Sequence, residues 1–293
     1  MLTNGHLFSN QLRRVLFSLF IVLAVALAAS GIADQFGLRF LEGGMKRALV
    51  TFGITRTLNG VISVAQGTEV AIEPAGVGIN FAPGEILDPV NDLVERFSWV
   101  MLTASASLGL QKLLLELFEW SPVTIIYAGS GLILLVMILL HRRVSGGVLN
   151  FFVRIFVMLT IVRFLLPVLS VSAEVIHEGF LQTKYDAAIT SLEKSGDDLG
   201  YLNSQGLSVS DSGEADGFLD TIGAIFGNAK FGFNLEKRFQ QYKKVAGEVT
   251  TTSIELIVIF LFQTIVLPLA MLFLGRFAFT STMRMLKGFR SSV

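Results

Sequence analysis

Hydrophobic residues along this chain fall into blocks, with polar residues gathered between them. Four blocks approach or reach the length needed to cross a bilayer, whose ~30 Å hydrocarbon core takes about 20 helical residues. They are residues 15–33, 122–141, 150–171 and 254–275. The last is a polar-marked span: the run SIELIVIFLFQTIVLPLAMLFLG holds Glu255, Gln263 and Pro268. The expected fold class is therefore an all-α integral membrane protein with four transmembrane helices, an external helical-hairpin stalk and a minor external β-hairpin.

Basic residues orient the spans. Arg13 and Arg14 close the polar segment 1–14, Arg142 and Arg143 lie in the short loop 142–149, and Arg276, Arg284, Lys287 and Arg290 follow the last block. Lys and Arg in short loops favour the cytoplasmic side, so 1–14, 142–149 and the tail 276–293 are expected inside and both termini cytoplasmic. The first block has a rival reading as a cleaved signal peptide, with small residues at Ala26 and Ala28 before the cut. Its length favours an anchor, and the following chain emerges outside in either case. Ala24 and Ala28 form a small-residue pair that reads as lipid-facing filler.

Residues 34–121 form an external mixed region. Apolar residues over 36–65 are interrupted by Glu42, Lys46, Arg47, Arg56 and Asn59, the pattern of an amphipathic helix. Val70 and Ile72, then Val77, Ile79 and Phe81, alternate around Pro74-Ala75-Gly76, which predicts a hairpin over 68–81. Asp88-Pro89 predicts a helix start, with Asp as cap and Pro in the first turn. The nearly uncharged stretch 97–118 is expected to stay external or dip into the outer leaflet. A crossing there would put Arg142 and Arg143 outside.

Residues 172–253 are expected as an external helical hairpin. Leu181, Tyr185, Ala188 and Leu192 recur at spacings of three and four, as do Leu235, Phe239, Tyr242, Ala246, Val249, Ser253 and Leu256. Such spacing makes a helix-helix seam, and the second arm runs on into the last span. Residues 196–217, rich in Gly, Ser and Asp, read as a flexible acidic loop. The Phe- and Gly-rich stretch 218–233 reads as a packing or interaction segment.

Composition narrows the chemistry. The chain has 293 residues, 52% hydrophobic and 16% charged, against about 25% charged in ordinary soluble domains. Its formal net charge is zero, so nothing in the charge balance calls for nucleic acid, and none is expected as a partner. It has no cysteine, which excludes disulfides, thiolate metal sites and thiol catalysis, and weakly favours a bacterial inner membrane with a periplasmic region. Its three histidines, His6, His141 and His177, are scattered, and no nucleotide-binding motif is present. No catalytic residue, cofactor or metal is expected, and the chain reads as a non-enzyme.

Two polar constellations remain. Arg163 lies about nine residues, or roughly 13 Å, from the external end of the third span. A charge at that depth needs a partner. Gln263 lies at a matching depth on the last span, with Glu255 two turns further out. The pairing reads either as an interhelical contact or as a polar path for a solute. Pro167 and Pro268 can kink either helix. Glu174, His177 and Glu178 share one helix face, and a membrane-proximal solvated face explains them better than a metal.

These features predict an interaction or assembly component whose extracytoplasmic region is the working surface. Its expected partners are the lipid bilayer and either further copies of itself or another membrane or periplasmic protein. The alternative is an oligomeric channel or transporter subunit with a polar path near Arg163 and Gln263.

Overall fold

The computed structural model describes residues 3–67, 70–72, 79–81, 83–140, 145–207 and 229–288. The described chain is built from long helices. In order they are α1 (Thr3–Ser30), α2 (Ile32–Gln66), α3 (Pro83–Glu119), α4 (Ser121–Leu139), α5 (Gly146–Ile176), α6 (Gln182–Leu207), α7 (Ala229–Leu261) and α8 (Leu267–Gly288). Between α2 and α3, strand β1 (Val70–Ile72) pairs antiparallel with β2 (Ile79–Phe81), with Ala71 opposite Asn80. Residues 68–69 and 73–78 of the expected hairpin lie outside the described residues.

Two π-helical turns interrupt otherwise continuous helix. One, His177–Leu181, joins α5 to α6; the other, Phe262–Val266, joins α7 to α8. A π turn leaves one extra residue in the helix and is frequent at functional sites. Pro268 stands two residues past the end of the second, and its missing N–H removes a regular α-helical bond there.

Five described helices are long and apolar enough to cross a membrane: Ile32–Gln66, Glu85–Glu119, Ser121–Leu139, Gly146–Ser204 and Lys237–Arg284. A shorter apolar helix covers Arg14–Ser30. Three of the four expected spans lie within these five; the expected span 15–33 falls largely on the shorter helix, and the other two of the five are α2 and α3, single helices of 35 and 37 residues, each with a lightly charged stretch.

Several boundaries differ from those read in the sequence. Helix α3 begins at Pro83, not at Asp88-Pro89, and Pro89 lies inside it. Pro83 itself suits the first helical position, and Glu85 in the first turn favours the helix dipole. Residues 196–207 are the end of α6, not part of a loop, because buried Leu199 and Leu202 extend the seam of Leu181, Tyr185, Ala188 and Leu192. The rest of that loop, 208–217, is outside the described residues, as are 218–228, His141, Arg142 and Arg143. Helix also runs through residues 276–288 of the tail.

The chain divides into two compact units. The first comprises Met1–Met45, Ala106–Glu178 and Phe262–Val293. Here Tyr127, Phe156, Ile21 and Leu134 form the centre of a buried cluster. Tyr127 stacks on Phe156 and its hydroxyl lies 3.0 Å from Thr160 Oγ1. Gly131 is required there: a Cβ would come within 2.7 Å of Val25 Cγ2 and 3.1 Å of the Phe156 ring. Ala24 and Ala28 face inward, so the small pair serves packing and not lipid contact. The outward positions are apolar, among them Ile125, Leu132, Leu139, Phe151, Phe273 and Phe277. Large apolar side chains on the outside are the reverse of a water-soluble surface and fit a lipid solvent.

The second unit comprises Lys46–Ser105 and Gly179–Leu261. Its α6 and α7 arms pack side by side along the expected seam: Tyr242, Ala246, Val249, Ser253 and Leu256 are buried against it, whereas Phe239 is exposed. Asn203 ties three helices. Its Nδ2 donates to Val61 O on α2 at 3.2 Å, and its Oδ1 accepts from Tyr242 Oη on α7 at 3.0 Å. Tyr185 lies 3.2 Å from Thr51 Oγ1 and edge-on to Phe260.

Candidate functional site: a buried ion pair beside two helix breaks

Helices α1 and α2 are separated by one residue, Gly31, whose φ of +65° lies in the left-handed region. Such a residue ends a helix, and glycine adopts it without a Cβ penalty. The break leaves the last carbonyls of α1 and the first N–H groups of α2 without intrahelical partners. Ser30 Oγ accepts from Ile32 N at 3.4 Å and donates to Leu27 O at 2.9 Å, which satisfies part of that deficit.

Arg163 on α5 satisfies one more of those carbonyls. Its Nη2 donates to Ala28 O, in the last turn of α1, at 3.4 Å. The same guanidinium forms a bidentate ion pair with Asp34, in the first turn of α2: Nη1 to Oδ1 at 2.6 Å and Nη2 to Oδ2 at 2.5 Å. Arg163 is 3% exposed and Asp34 1%, so water screens neither. The cation thus sits at a helix C-terminus and the anion at a helix N-terminus, the polarity that the two helix dipoles favour.

A second break faces the first. Helix α3 ends at Glu119 and α4 begins at Ser121, with Pro122 in its first turn. An ideal Cβ on Gly31 would lie 3.5 Å from Glu119 Oε1, so the two interruptions are neighbours. The flanking segments keep one register. On one side of the breaks Gly131 lies against Ile21 and Val25; on the other, Gly37 packs on Leu115 and Lys112 Nζ binds Glu42 Oε1 at 2.8 Å.

Gln263 makes no hydrogen bond to Arg163. It sits in the second π turn, buried, and its Nε2 lies 3.0 Å from His177 Nδ1 at the start of the first. The two π turns are therefore linked through their side chains. Glu255 is exposed on α7. Of the face proposed from spacing, His177 is buried, Glu174 is partly buried and Glu178 is exposed. Among the described residues no group of three His, Cys, Asp or Glu could hold a metal ion.

Asp34 and the Ala28 carbonyl are the partners that sequence reasoning missed. The available signal was Gly31, a helix-ending residue inside the apolar run, followed three residues later by an acid. Pro167 adds a further link: it stands four residues after Arg163 in α5 and cannot donate to the Arg163 carbonyl.

Comparison with protein-family models, curated proteins and solved structures finds no match for this chain. The class that the fold defines is a helical protein with several helices apolar enough for a membrane.

Proposed function

We propose that this protein is an integral membrane component of a larger assembly, with the second unit as its extracytoplasmic working part. The observation that carries the proposal is that the conspicuous buried polar side chains of the first unit bind one another across helices. Arg163 is held by Asp34 and Ala28 O, and Gln263 by His177. Side chains that bind one another define which helices pair; they do not offer a continuous polar line to a solute.

The crossing segments in this proposal are four: the apolar parts of α1, α4, α5 and the α7–α8 helix. Hydropathy supports the choice. The most apolar stretches of the helices containing α4, α5 and α8 have a mean hydropathy of 2.2, 2.2 and 2.6, against 1.3 for α2 and for α3. The apolar part of α1 is shorter, and exposed Arg14 stands at its N-terminal end. The termini are then cytoplasmic, and the membrane is a bacterial inner membrane.

One observation favours the second reading, a channel or transporter subunit. Interrupted helices whose ends meet beside a buried charge are a recurring device at solute sites in transporters. Two experiments separate the readings. Solubilisation in mild detergent followed by mass measurement tests for a stable partner or further copies. Reconstitution with ion and solute flux assays tests for a path, and flux from an intact oligomer that vanishes in Arg163→Gln would overturn the assembly proposal.

A further inference from the structure

We infer that the paired breaks at Gly31 and Trp120 form a hinge within the first unit, and that the Arg163–Asp34 ion pair is its bolt.

A helix resists bending because every turn is bridged by hydrogen bonds; bending concentrates where that ladder is missing. Here it is missing in two adjacent helical lines at one level. At Gly31 the chain turns through a left-handed residue, and at Trp120 one residue separates α3 from α4, with Pro122 unable to donate a backbone bond. The segments on either side are internally stiff. Lys112 bridges Glu42 and Glu116 on one side. On the other, Gly131 is wedged between Val25, Ile21 and Phe156.

Beyond the local Ile32–Ser30 bond, Arg163 ties across the break from one guanidinium: Nη2 to Ala28 O below Gly31, and both terminal nitrogens to Asp34 above it. Helix α5 runs past this level from Gly146 to Ile176 as one helix, lacking there the single ladder bond that Pro167 cannot give, and serves as the post. The guanidinium also keeps Nε without a hydrogen-bond partner while buried, a donor left over in this arrangement. Neutralising Asp34 removes the strongest attachment of α2 to the post and leaves the Ala28 contact in place. The two breaks are then free to bend together.

The chain contains no cysteine, so introduced cysteines report without background. Spin labels at exposed Leu23 on α1 and exposed Arg39 on α2, in full-length protein in bilayer nanodiscs, would measure the distance across the break. A pair at Leu23 and exposed Ile133, on α1 and α4, would measure one side alone. The inference expects a narrow distribution for both pairs in the native background. Asp34→Asn should broaden or shift only the pair across the break. Arg163→Lys, which keeps charge but loses the bidentate grip, should give an intermediate width. It also serves as the test if Asp34→Asn is not recovered folded. An unchanged distribution across the break in the recovered variant, or equal broadening of both pairs, overturns the hinge.

Discussion

Asp34 and Arg163, 129 residues apart in sequence, close a buried two-pronged ion pair that binds the first turn of α2 to the middle of α5. Removing one partner would leave a charge buried without its counterion, which typically costs about 3–5 kcal/mol. Asp34→Leu or Arg163→Met alone should therefore lower the thermal unfolding midpoint in detergent strongly. The double variant should lose less than the sum of the two, because no orphan charge remains. Equal, additive losses would show that the residues do not act as a pair.

Reversing the pair tests the dipole argument. Asp34→Arg combined with Arg163→Asp restores opposite charges but places a cation at the α2 N-terminus and an anion beside the α1 C-terminus. Each mismatch costs up to about 1–2 kcal/mol when buried. Unfolding measurements should find the swapped protein more stable than either single variant and less stable than the native one. Full recovery would show that the helix ends contribute nothing.

Glycine positions give a graded series. Gly31→Ala places a Cβ on a left-handed residue and should cost about 1–2 kcal/mol. Gly131→Ala overpacks against Val25 and Phe156, for a loss of about 1–3 kcal/mol. Gly53→Ala, on an exposed turn of α2 with no atom within 4 Å of the new methyl, should gain up to about 1 kcal/mol. Thermal scans of the three proteins check the order.

The Gln263–His177 link predicts a moderate effect. Gln263→Leu keeps the bulk but removes the partner of a buried ring nitrogen, at about 1–3 kcal/mol. Tyr242→Phe, which leaves Asn203 Oδ1 without that donor, should cost about as much. Both are read as shifts in unfolding midpoint; no shift in either would mean that these contacts are replaced by water at no cost.

Much of the architecture is legible in the sequence. The seam residues Leu181, Tyr185, Ala188 and Leu192 pack as their spacing predicts, and so do Tyr242, Ala246 and Val249, because a helical face buries what recurs every three or four residues. Arg163 is legible as a charge that needs a partner. The partner is not, for two physical reasons. Depth counted from span ends assumes regular helices, whereas α5 runs to Ile176 and the π turns at His177–Leu181 and Phe262–Val266 shift the register beyond. Asp34 follows an apolar run and looks like the first residue of an external loop, whereas Gly31 ends one helix and starts another, keeping Asp34 inside. The same difficulty hides the Gln263–His177 contact, although both residues stand out individually.

The most direct test of the proposed role is the mass of the complex extracted from native membranes in mild detergent, measured together with solute flux after reconstitution. The assembly proposal predicts a stable particle heavier than one 32.0 kDa chain, containing further copies or a second protein, with no flux above that of empty vesicles. A lone chain, or an intact particle whose flux is abolished by Arg163→Gln, would contradict it.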